Sequence, residues 1–415
     1  MYVSAEAYDS SLAYDRRATA PTRPAPEGTV MHIAQLANFY GPASGGLRTA
    51  LDALGRGYVE AGHTRSLLIP GAEDAWEETE HGLVVTFRAP LLPGTPYRMV
   101  PETWRIRDVL DRLRPTNVEV SDKLTMTTAA TWARRRDAGS VLLSHERLDT
   151  HLSPRISWRP GLVAGVNVLN RSLLRRFDEV VVTSAFAAGE FGRVATRPVR
   201  QVALGVDLTT FHPDRASAST TIAGTRSGSV GGSAESDVPR LIHAGRLSQE
   251  KRPDLAVATA VELHRQGLAF RLDVFGDGPD RPALQRLAGD APVVFHPYVG
   301  DRFALAAELA AADVALSVCP FETFGLAILE ALACGTPVVT ADTGGGRELV
   351  TLASGAWATP QPTALAAAVT GVLAGDRHAR RKAARQQAEC YPWSTSVAAM
   401  LEVHATTRRK PLVRT

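Results

Sequence analysis

Apolar and polar residues alternate along this chain as they do in α/β proteins. Short apolar runs that are rich in β-branched residues predict buried strands at residues 31–36, 66–69, 82–87, 118–120, 141–144 and 180–183. Segments with helical spacing lie between these runs, which is the order expected of a parallel sheet covered by helices. The pattern therefore predicts a Rossmann-like α/β domain over residues 30–205.

A second set of strands follows a segment of different composition. Residues 206–238 are predicted to be a linker, because positions 214–237 are crowded with Ser, Thr, Gly and Ala and have no period of buried residues. Apolar runs resume at residues 240–244, 271–276, 293–297, 314–318 and 338–340. They predict a second Rossmann-like domain over residues 239–390, followed at 391–415 by an amphipathic helix and a tail.

Length and composition agree with two domains. A chain of 415 residues is too long for one typical core, and 45% hydrophobic with 21% charged residues is ordinary for a soluble globular protein. The formal net charge of +3 makes no case for nucleic acid, and no base-reading motif is present. Cys319, Cys334 and Cys390 lack metal-ligand spacing, so we expect buried thiols in a reducing cytoplasm.

Targeting and membrane signals are weak. Residues 1–29 lack the apolar core of a secretory signal and are predicted to be a disordered tail, with Met31 as an alternative translation start. No apolar run approaches the roughly 18–20 residues that span a bilayer. Residues 93–200 hold 18 Arg and Lys against 11 Asp and Glu, a surplus that suits anionic lipid headgroups. The expected location is the cytoplasm, and peripheral contact with the inner face of the plasma membrane stays open.

The segment most informative about function follows the strand that ends at Pro320. A tight loop carries Glu322, and helical spacing over residues 325–333 predicts a helix that carries Glu330. In such units an anionic ligand sits beyond the carboxyl end of the strand, at the start of the helix. At about 1.5 Å rise per residue the two carboxylates lie roughly 8–10 Å apart, which a nucleotide sugar spans.

These two glutamates, separated by seven residues and flanked by Phe-Gly and Cys-Gly-Thr-Pro, resemble the signature of a large family of retaining glycosyltransferases. That family has the GT-B fold, in which two Rossmann-like domains face a cleft and a C-terminal helix crosses back to the first domain. The resemblance implies that Glu330 binds the ribose hydroxyls of a nucleotide-sugar donor and that Glu322 faces the transferred sugar. It also implies contacts of the donor with Phe324, Gly325 and Leu326.

A glycine-rich turn lies directly after the first strand. Residues 41–48 read Gly-Pro-Ala-Ser-Gly-Gly-Leu-Arg and open the predicted helix 47–60. Such a turn lets backbone N–H groups approach a phosphate, and the alternative is a tight turn without a ligand. The matching turn of the family reaches the distal phosphate of the donor across the cleft. The resemblance therefore implies this role for Gly45 and Gly46.

A basic loop follows the strand at residues 240–244. It reads Gly-Arg-Leu-Ser-Gln-Glu-Lys-Arg from residue 245 and supplies cations that can neutralise charge on a leaving nucleotide. The family places one Arg and one Lys in this loop, and Arg246 and Lys251 match. A solvated basic loop is the alternative interpretation.

His145 ends a strand of the first domain and is predicted to point at the cleft. The family carries a His at this strand end that contacts the donor sugar, so the resemblance implies a functional His145. Glu146, Arg147 and Asp149 are candidates for the acceptor site. Residues 121–123, at the end of another strand, are equally good candidates for that site. A solvated surface is equally compatible with these acceptor candidates.

Four stretches of the first domain narrow the resemblance, which covers about residues 31–403. Residues 38–42, 118–123, 144–149 and 205–213 look like the actinobacterial α-mannosyltransferases that use GDP-mannose in phosphatidylinositol mannoside and glycolipid assembly. The expected partners are thus a nucleotide sugar and a lipid or small-molecule acceptor. The alternatives are a UDP-sugar-dependent enzyme acting on a small or secondary-metabolite acceptor and a non-catalytic protein that binds sugar nucleotides.

The predicted chemistry is transfer of a hexose to an alcohol with retention at the anomeric carbon. No Asp-x-Asp motif is present for a metal, and Arg, Lys and a helix dipole can replace a divalent ion. We therefore expect neither a metal nor a cofactor. The sequence argues against a dehydrogenase, because the turn after the first strand lacks the Gly-x-Gly-x-x-Gly pattern.

Overall fold

The computed structural model describes residues 30–41, 44–93, 95, 97–151, 158–219 and 238–407. The predicted tail at 1–29, the Ser- and Gly-rich segment at 220–237 and the final residues 408–415 lie outside the described residues. Two sheets, one wholly parallel and one parallel except for an edge strand, are covered by helices and form the described part of the protein. We call the unit around the first sheet the first domain and the unit around the second sheet the second domain.

The first sheet is built from β1 (His32–Leu36), β2 (Thr64–Gly71), β3 (Ala75–Thr79), β4 (Gly82–Arg88), β5 (Asn117–Val120), β6 (Gly139–Ser144), β7 (Glu179–Val182) and β8 (Arg200–Gln201). Within the described residues its order is β3-β4-β2-β1-β5-β6-β7-β8, and β3 alone runs antiparallel. The six strands predicted in this domain are confirmed. The prediction missed β3 and β8, because β3 is an edge strand without a buried residue and β8 has only two residues.

The second sheet is built from β9 (Arg240–Ala244), β10 (Arg271–Phe275), β11 (Val293–His296), β12 (Val314–Ser317), β13 (Val338–Ala341) and β14 (Gly355–Ala358). Its order within the described residues is β11-β10-β9-β12-β13-β14, with all pairs parallel. In each sheet the order in which strands are added reverses beside the first strand. This switch point lies between β1 and β5 in the first domain and between β9 and β12 in the second. Ligands of open α/β sheets bind beyond the carboxyl ends of the strands at such points.

Helices cover both sheets. Those of the first domain are α1 (Gly45–Glu60), α2 (Thr103–Leu113), α3 (Thr128–Arg135), α4 (Leu148–His151), α5 (Arg159–Arg176) and α6 (Ala185–Gly192). Those that follow are α7 (Pro253–Arg265), α8 (Arg281–Ala288), α9 (Arg302–Ala311), α10 (Leu326–Ala333), α11 (Pro362–Leu373), α12 (Arg377–Glu389) and α13 (Trp393–Thr407). The predicted helices at residues 47–60 and 325–333 correspond to α1 and α10.

The last helix crosses back to the first domain, as the resemblance implied. Val397, Met400 and Val403 of α13 belong to the same buried apolar cluster as Ile33 of β1. A polar contact accompanies this packing, because His404 Nε2 lies 2.8 Å from Glu119 Oε2 and both side chains are fully buried. The core of the first domain is therefore completed by residues from the far end of the chain.

Two of the predictions about composition can be compared with the structure. Cys319 and Cys334 are buried as expected, but Cys390 is exposed, so that part of the cysteine prediction is wrong. Cys390 follows the last residue of α12, whose polar face points to solvent. In the described part of the chain, no helix has the length and apolar character needed to cross a membrane.

Candidate active site

The loop between β12 and α10 depends on one glycine. Gly325 has a φ of 107°, a conformation that residues with a Cβ rarely adopt. A Cβ at this position would also come within 3.0 Å of the Ile328 side chain. This glycine lets the chain turn sharply into α10, which leaves Glu322 on the loop and Glu330 in the helix.

Lys251 and Glu322 meet in the cleft. Lys251 ends the 3-10 turn Gln249–Lys251 after β9, and its Nζ lies 2.8 Å from Glu322 Oε2. The Glu322 side chain is 19% exposed and that of Lys251 is 41% exposed, so the pair is accessible to a ligand. Burial alone would lower the pKa of Lys251, but the Glu322 carboxylate outweighs this effect and the pKa is raised. The ammonium group therefore stays charged at neutral pH.

Arg246 lies on the same loop and reaches the first domain. Its Nη1 is 3.2 Å from Glu250 Oε1, and its guanidinium lies over the Tyr97 ring at 5.6 Å from the centroid. Burial raises the pKa of Tyr97, and the nearby Arg246 opposes that rise. Sequence reasoning missed Tyr97, which no motif marks.

Glu330 is held by a second arginine that the sequence analysis did not single out. Arg302 Nη2 lies 3.0 Å from Glu330 Oε1, and the Glu330 side chain is only 14% exposed. Burial raises the pKa of Glu330, while the positive charge of Arg302 acts in the opposite direction. Each of the two motif glutamates is thus paired with a cation from another segment of the chain.

The glycine turn of the first domain faces the start of α10. Gly45 begins α1 with a φ of 36°, and a Cβ built there would meet nothing within 4 Å. A Cβ on Gly46 would lie 3.5 Å from Leu326 Cδ1, so the backbone of the turn approaches the first residue of α10. The structure thus brings together the two backbone segments predicted to contact the diphosphate. Arg48 instead lies along its own helix, with Nε 3.6 Å from Asp52 Oδ2.

His145 lies at the same cleft, beside the Glu322 loop. Its backbone oxygen accepts a 2.7 Å hydrogen bond from Thr323 Oγ1, which joins the end of β6 to the residue after Glu322. The ring Nε2 lies 3.5 Å from Glu146 Oε1. The buried Nδ1 has no hydrogen-bond partner among the described residues.

The acceptor candidates are largely engaged with protein groups. Arg147 Nη2 and Asp149 Oδ2 are 3.0 Å apart. Lys123 is buried, pairs with Glu190 and donates a 3.2 Å hydrogen bond to the carbonyl oxygen of Glu146. Lys123 therefore holds the loop after β6 in place through this hydrogen bond.

Asp122 is likewise engaged with the backbone. It accepts hydrogen bonds from the N–H groups of Asn38 and Leu124, and burial raises the pKa of Asp122 to about 6. This carboxylate holds two loops of the first domain together.

A loop after β13, which the sequence analysis did not mark, supports the Glu322 loop. Gly345 donates a 2.6 Å backbone hydrogen bond to the Glu322 carbonyl oxygen. Three residues later, the Glu348 carboxylate accepts hydrogen bonds of 3.0 and 2.8 Å from the N–H groups of Ala185 and Phe186 at the start of α6. Three consecutive glycines that begin three residues after the end of the buried strand β13 were the available signal. This loop therefore ties the second domain to the first beside the candidate site.

Comparison with known proteins agrees with this geometry. Residues 45–207 match the model of the glycosyl transferase 4-like domain, and residues 238–375 match that of glycosyl transferases group 1. A GDP-mannose-dependent alpha-(1-6)-phosphatidylinositol dimannoside mannosyltransferase of Mycobacterium tuberculosis is 39% identical over 372 residues, which cover 89% of this chain and 95% of the relative. A GDP-mannose-dependent alpha-mannosyltransferase of Corynebacterium glutamicum is 25% identical over 77% of this chain and 74% of its own length. The resemblance to mannosyltransferases is confirmed.

Solved structures agree on the fold. Sucrose-phosphate synthase from Thermosynechococcus elongatus superposes with a TM-score of 0.71 at 20% identity, over 91% of this chain and 98% of that structure. The Anabaena protein HepE in complex with UDP and glucose has a TM-score of 0.69 at 17% identity, over 91% of this chain and all of that one (100%). Both support two Rossmann-like domains in the GT-B arrangement. The chain therefore belongs to the glycosyltransferases that join a glycosyl transferase 4-like domain to a group 1 domain on the GT-B fold.

Proposed function

We propose that this enzyme transfers mannose from GDP-mannose to a phosphatidylinositol mannoside or a related glycolipid, with retention at the anomeric carbon. The observation that carries the proposal is the 39% identity to a phosphatidylinositol dimannoside mannosyltransferase over 95% of that relative's length. The site geometry supports it, because the residues matched to donor binding line one cleft between the two domains.

In this proposal each paired residue has a separate task. Glu330 accepts hydrogen bonds from the ribose hydroxyls, and the backbone of Gly45, Gly46 and Phe324 to Leu326 contacts the diphosphate and the sugar. Lys251 and Arg246 stabilise the negative charge that grows on the leaving GDP. The Lys251–Glu322 contact of 2.8 Å brings this charge next to the carboxylate that faces the mannose.

Retention follows, in this proposal, from attack on the same face as the departing phosphate. The acceptor hydroxyl forms a bond to the anomeric carbon while the bond to the phosphate oxygen breaks, and that oxygen takes the acceptor proton. His145 lines the sugar side of the cleft. The protein holds the reactants in place and stabilises charge, so neither glutamate needs to form a covalent bond. The two cations and the start of α10 would take the place of a divalent ion, which makes the reaction independent of metal.

Thermal denaturation with nucleotides tests the donor. A ligand that binds only the folded state raises the melting temperature by mass action. We expect GDP and GDP-mannose to raise it, and Lys251→Ala and Glu330→Ala to abolish the shift. A shift with UDP-sugars alone would replace the donor and acceptor by those of a UDP-sugar-dependent enzyme. No shift with any nucleotide would contradict nucleotide-sugar binding itself.

Transfer to lipid tests the acceptor and separates an enzyme from a non-catalytic binding protein. The purified chain is incubated with GDP-mannose and phosphatidylinositol mannosides, and the released GDP and the elongated lipid are both measured. Equal amounts of the two products are expected, and Glu322→Gln serves as the inactive control. GDP-mannose binding without any elongated lipid would contradict the proposed acceptor.

We also propose peripheral contact with an anionic membrane through the first domain. The helix α5 carries no acidic residue, its exposed side presents Val168, Arg171 and Arg175, and Trp158, which directly precedes the helix, is 72% exposed. Arg134 of α3 donates a 2.6 Å hydrogen bond to the Arg175 carbonyl oxygen, which brings further arginines to this surface. Sedimentation with phosphatidylinositol vesicles at low and high salt tests the contact. Absence of binding at low salt would contradict the proposed membrane contact.

A further inference from the structure

Arg302 contacts three separate segments of the chain. It is the first residue of α9, and its guanidinium lies over the ring of the buried Phe211 at 4.9 Å from the centroid. Its Nη2 is 3.0 Å from Glu330 Oε1 in α10, and its Nη1 is 3.5 Å from Thr49 Oγ1 in α1 of the first domain. One side chain therefore connects a donor-site carboxylate, the segment between the domains and the helix that follows the glycine turn.

Glu330 needs this contact, because its surroundings favour the neutral form. An ionised carboxylate offers both oxygens as acceptors to two hydroxyls, whereas a protonated carboxyl turns one of them into a donor. Burial raises the pKa of Glu330. Cys334, which directly follows α10, is also close, but burial raises the pKa of this thiol to about 12 and it carries no charge. Arg381 and Arg385 of α12 donate hydrogen bonds to the Cys334 and Ala333 carbonyl oxygens at the end of α10, whereas Arg302 contacts the Glu330 carboxylate itself and opposes the effect of burial.

We propose that Arg302 is a positioning residue for the donor, which keeps Glu330 ionised and aimed at the ribose. The inference rests on the proposed function, in which Glu330 binds the ribose. A planar guanidinium suits this task, because its two ends reach Glu330 and Thr49 while its face stacks on Phe211. A lysine could supply the charge but not both contacts at once.

Calorimetric titration of the full chain with GDP from pH 6 to pH 8 tests the inference, with wild type, Arg302→Met and Arg302→Lys. Each variant is compared with wild type at the same pH, which cancels the titration of GDP itself. We expect Arg302→Met to bind more weakly, and the deficit to grow as the pH falls, by about tenfold for each unit by which the pKa of Glu330 rises. Arg302→Lys should show a smaller deficit that changes little with pH.

A matched control breaks another exposed ion pair of the second domain, far from the cleft. Arg377 Nε lies 2.7 Å from Asp313 Oδ1, and Arg377→Met should bind GDP as wild type does at every pH. A deficit of Arg302→Met that is absent, or that is the same at every pH, would overturn the inference. A pH-dependent deficit in Arg377→Met would overturn it as well.

Thermal stability without ligand separates this inference from the proposed function. When folding raises the pKa of a carboxyl, the protein loses stability as the pH rises from the pKa of the unfolded state through that of the folded state. Removing Arg302 raises the pKa further, so the melting temperature of Arg302→Met should fall below wild type by more at pH 8 than at pH 5. Glu330→Gln with Arg302→Met should lose this pH dependence.

The outcomes of the two measurements can be told apart. Wild type that binds no nucleotide would contradict the proposed function, whereas the ligand-free comparison would still decide whether Arg302 keeps Glu330 ionised. A penalty that is equal at every pH would overturn the inference even if GDP binds.

Discussion

Gly345→Ala should disable the enzyme without removing any charged or polar group. An ideal Cβ at this position would lie 2.1 Å from the Thr323 carbonyl oxygen, 2.6 Å from its carbon and 2.8 Å from Ser184 Oγ. The φ of Gly345 lies outside the left-handed region, so alanine brings no backbone strain of its own. The effect of the substitution would therefore come from displacement of the Thr323 peptide.

The size of the displacement can be worked from these distances. Non-bonded Cβ atoms hardly ever come closer than 3.0 Å to another atom, so the carbonyl oxygen at 2.1 Å must retreat by about 0.9 Å. Thr323 directly follows Glu322, whose carboxylate lies 2.8 Å from Lys251 Nζ. A misplacement of about 1 Å in a catalytic site can cost about 10²-fold in rate, which corresponds to about 2.7 kcal/mol. We expect kcat to fall by that order.

The assay compares GDP release from GDP-mannose in wild type, Gly345→Ala and Gly371→Ala, together with their melting temperatures. Gly371 lies inside α11, and a Cβ there would meet nothing within 4 Å. Replacing this helical glycine should leave kcat unchanged and stabilise the protein by up to about 1 kcal/mol. Gly345→Ala with the kcat and melting temperature of wild type would refute the reasoning, since the Glu322 loop would then tolerate the displacement. An equal loss of kcat in Gly371→Ala would refute it too.

Three further predictions concern charge, domain contact and metal. Lys251→Ala should lower kcat about 10²–10³-fold, because in the proposed function Lys251 supplies one preorganised charge at the leaving group, and unchanged kcat would contradict that role. Its melting temperature should stay close to that of wild type, because the Lys251 side chain is 41% exposed. Glu348→Ala leaves the N–H groups of Ala185 and Phe186 without this acceptor and should weaken domain contact by about 1 kcal/mol. Small-angle scattering should then show a larger radius of gyration, and an unchanged profile would speak against the contact. Transfer activity should survive excess EDTA, and a loss that Mg²⁺ restores would show a metal requirement.

Much of the fold was predictable because its signals are local. Strands buried on both faces, such as β9 and β13, appear as continuous apolar runs, and glycine and proline mark where α10 ends. The edge strand β3 was not predicted, because none of its residues is buried and its sequence therefore lacks the alternation of apolar and polar residues. The exposed position of Cys390 was missed because the orientation of α12 depends on its packing, which no local signal reports.

The candidate site was predictable only in part. Glu322, Lys251 and His145 follow strands whose carboxyl ends meet in the cleft, so their neighbourhood follows from topology. Their partners do not, since packing between distant segments decides them. Arg302 and Glu330 are 28 residues apart, and Lys123 and Glu190 are 67 apart. Residues that shift the pKa of a functional group are therefore harder to predict from sequence than the functional residue itself.

The return of α13 to the first domain has a consequence for biosynthesis. Met31 and Ile33 share their apolar cluster with Val397, Met400 and Val403. The strands of the first domain leave the ribosome well before α13 is made, and at 5–20 residues per second the intervening stretch takes roughly 10–40 s to translate. During this interval the nascent chain presents an uncovered apolar face and a buried-type carboxylate, Glu119, without its histidine. The apolar core and the Glu119–His404 contact of the first domain are thus completed only after the last helix has been synthesised.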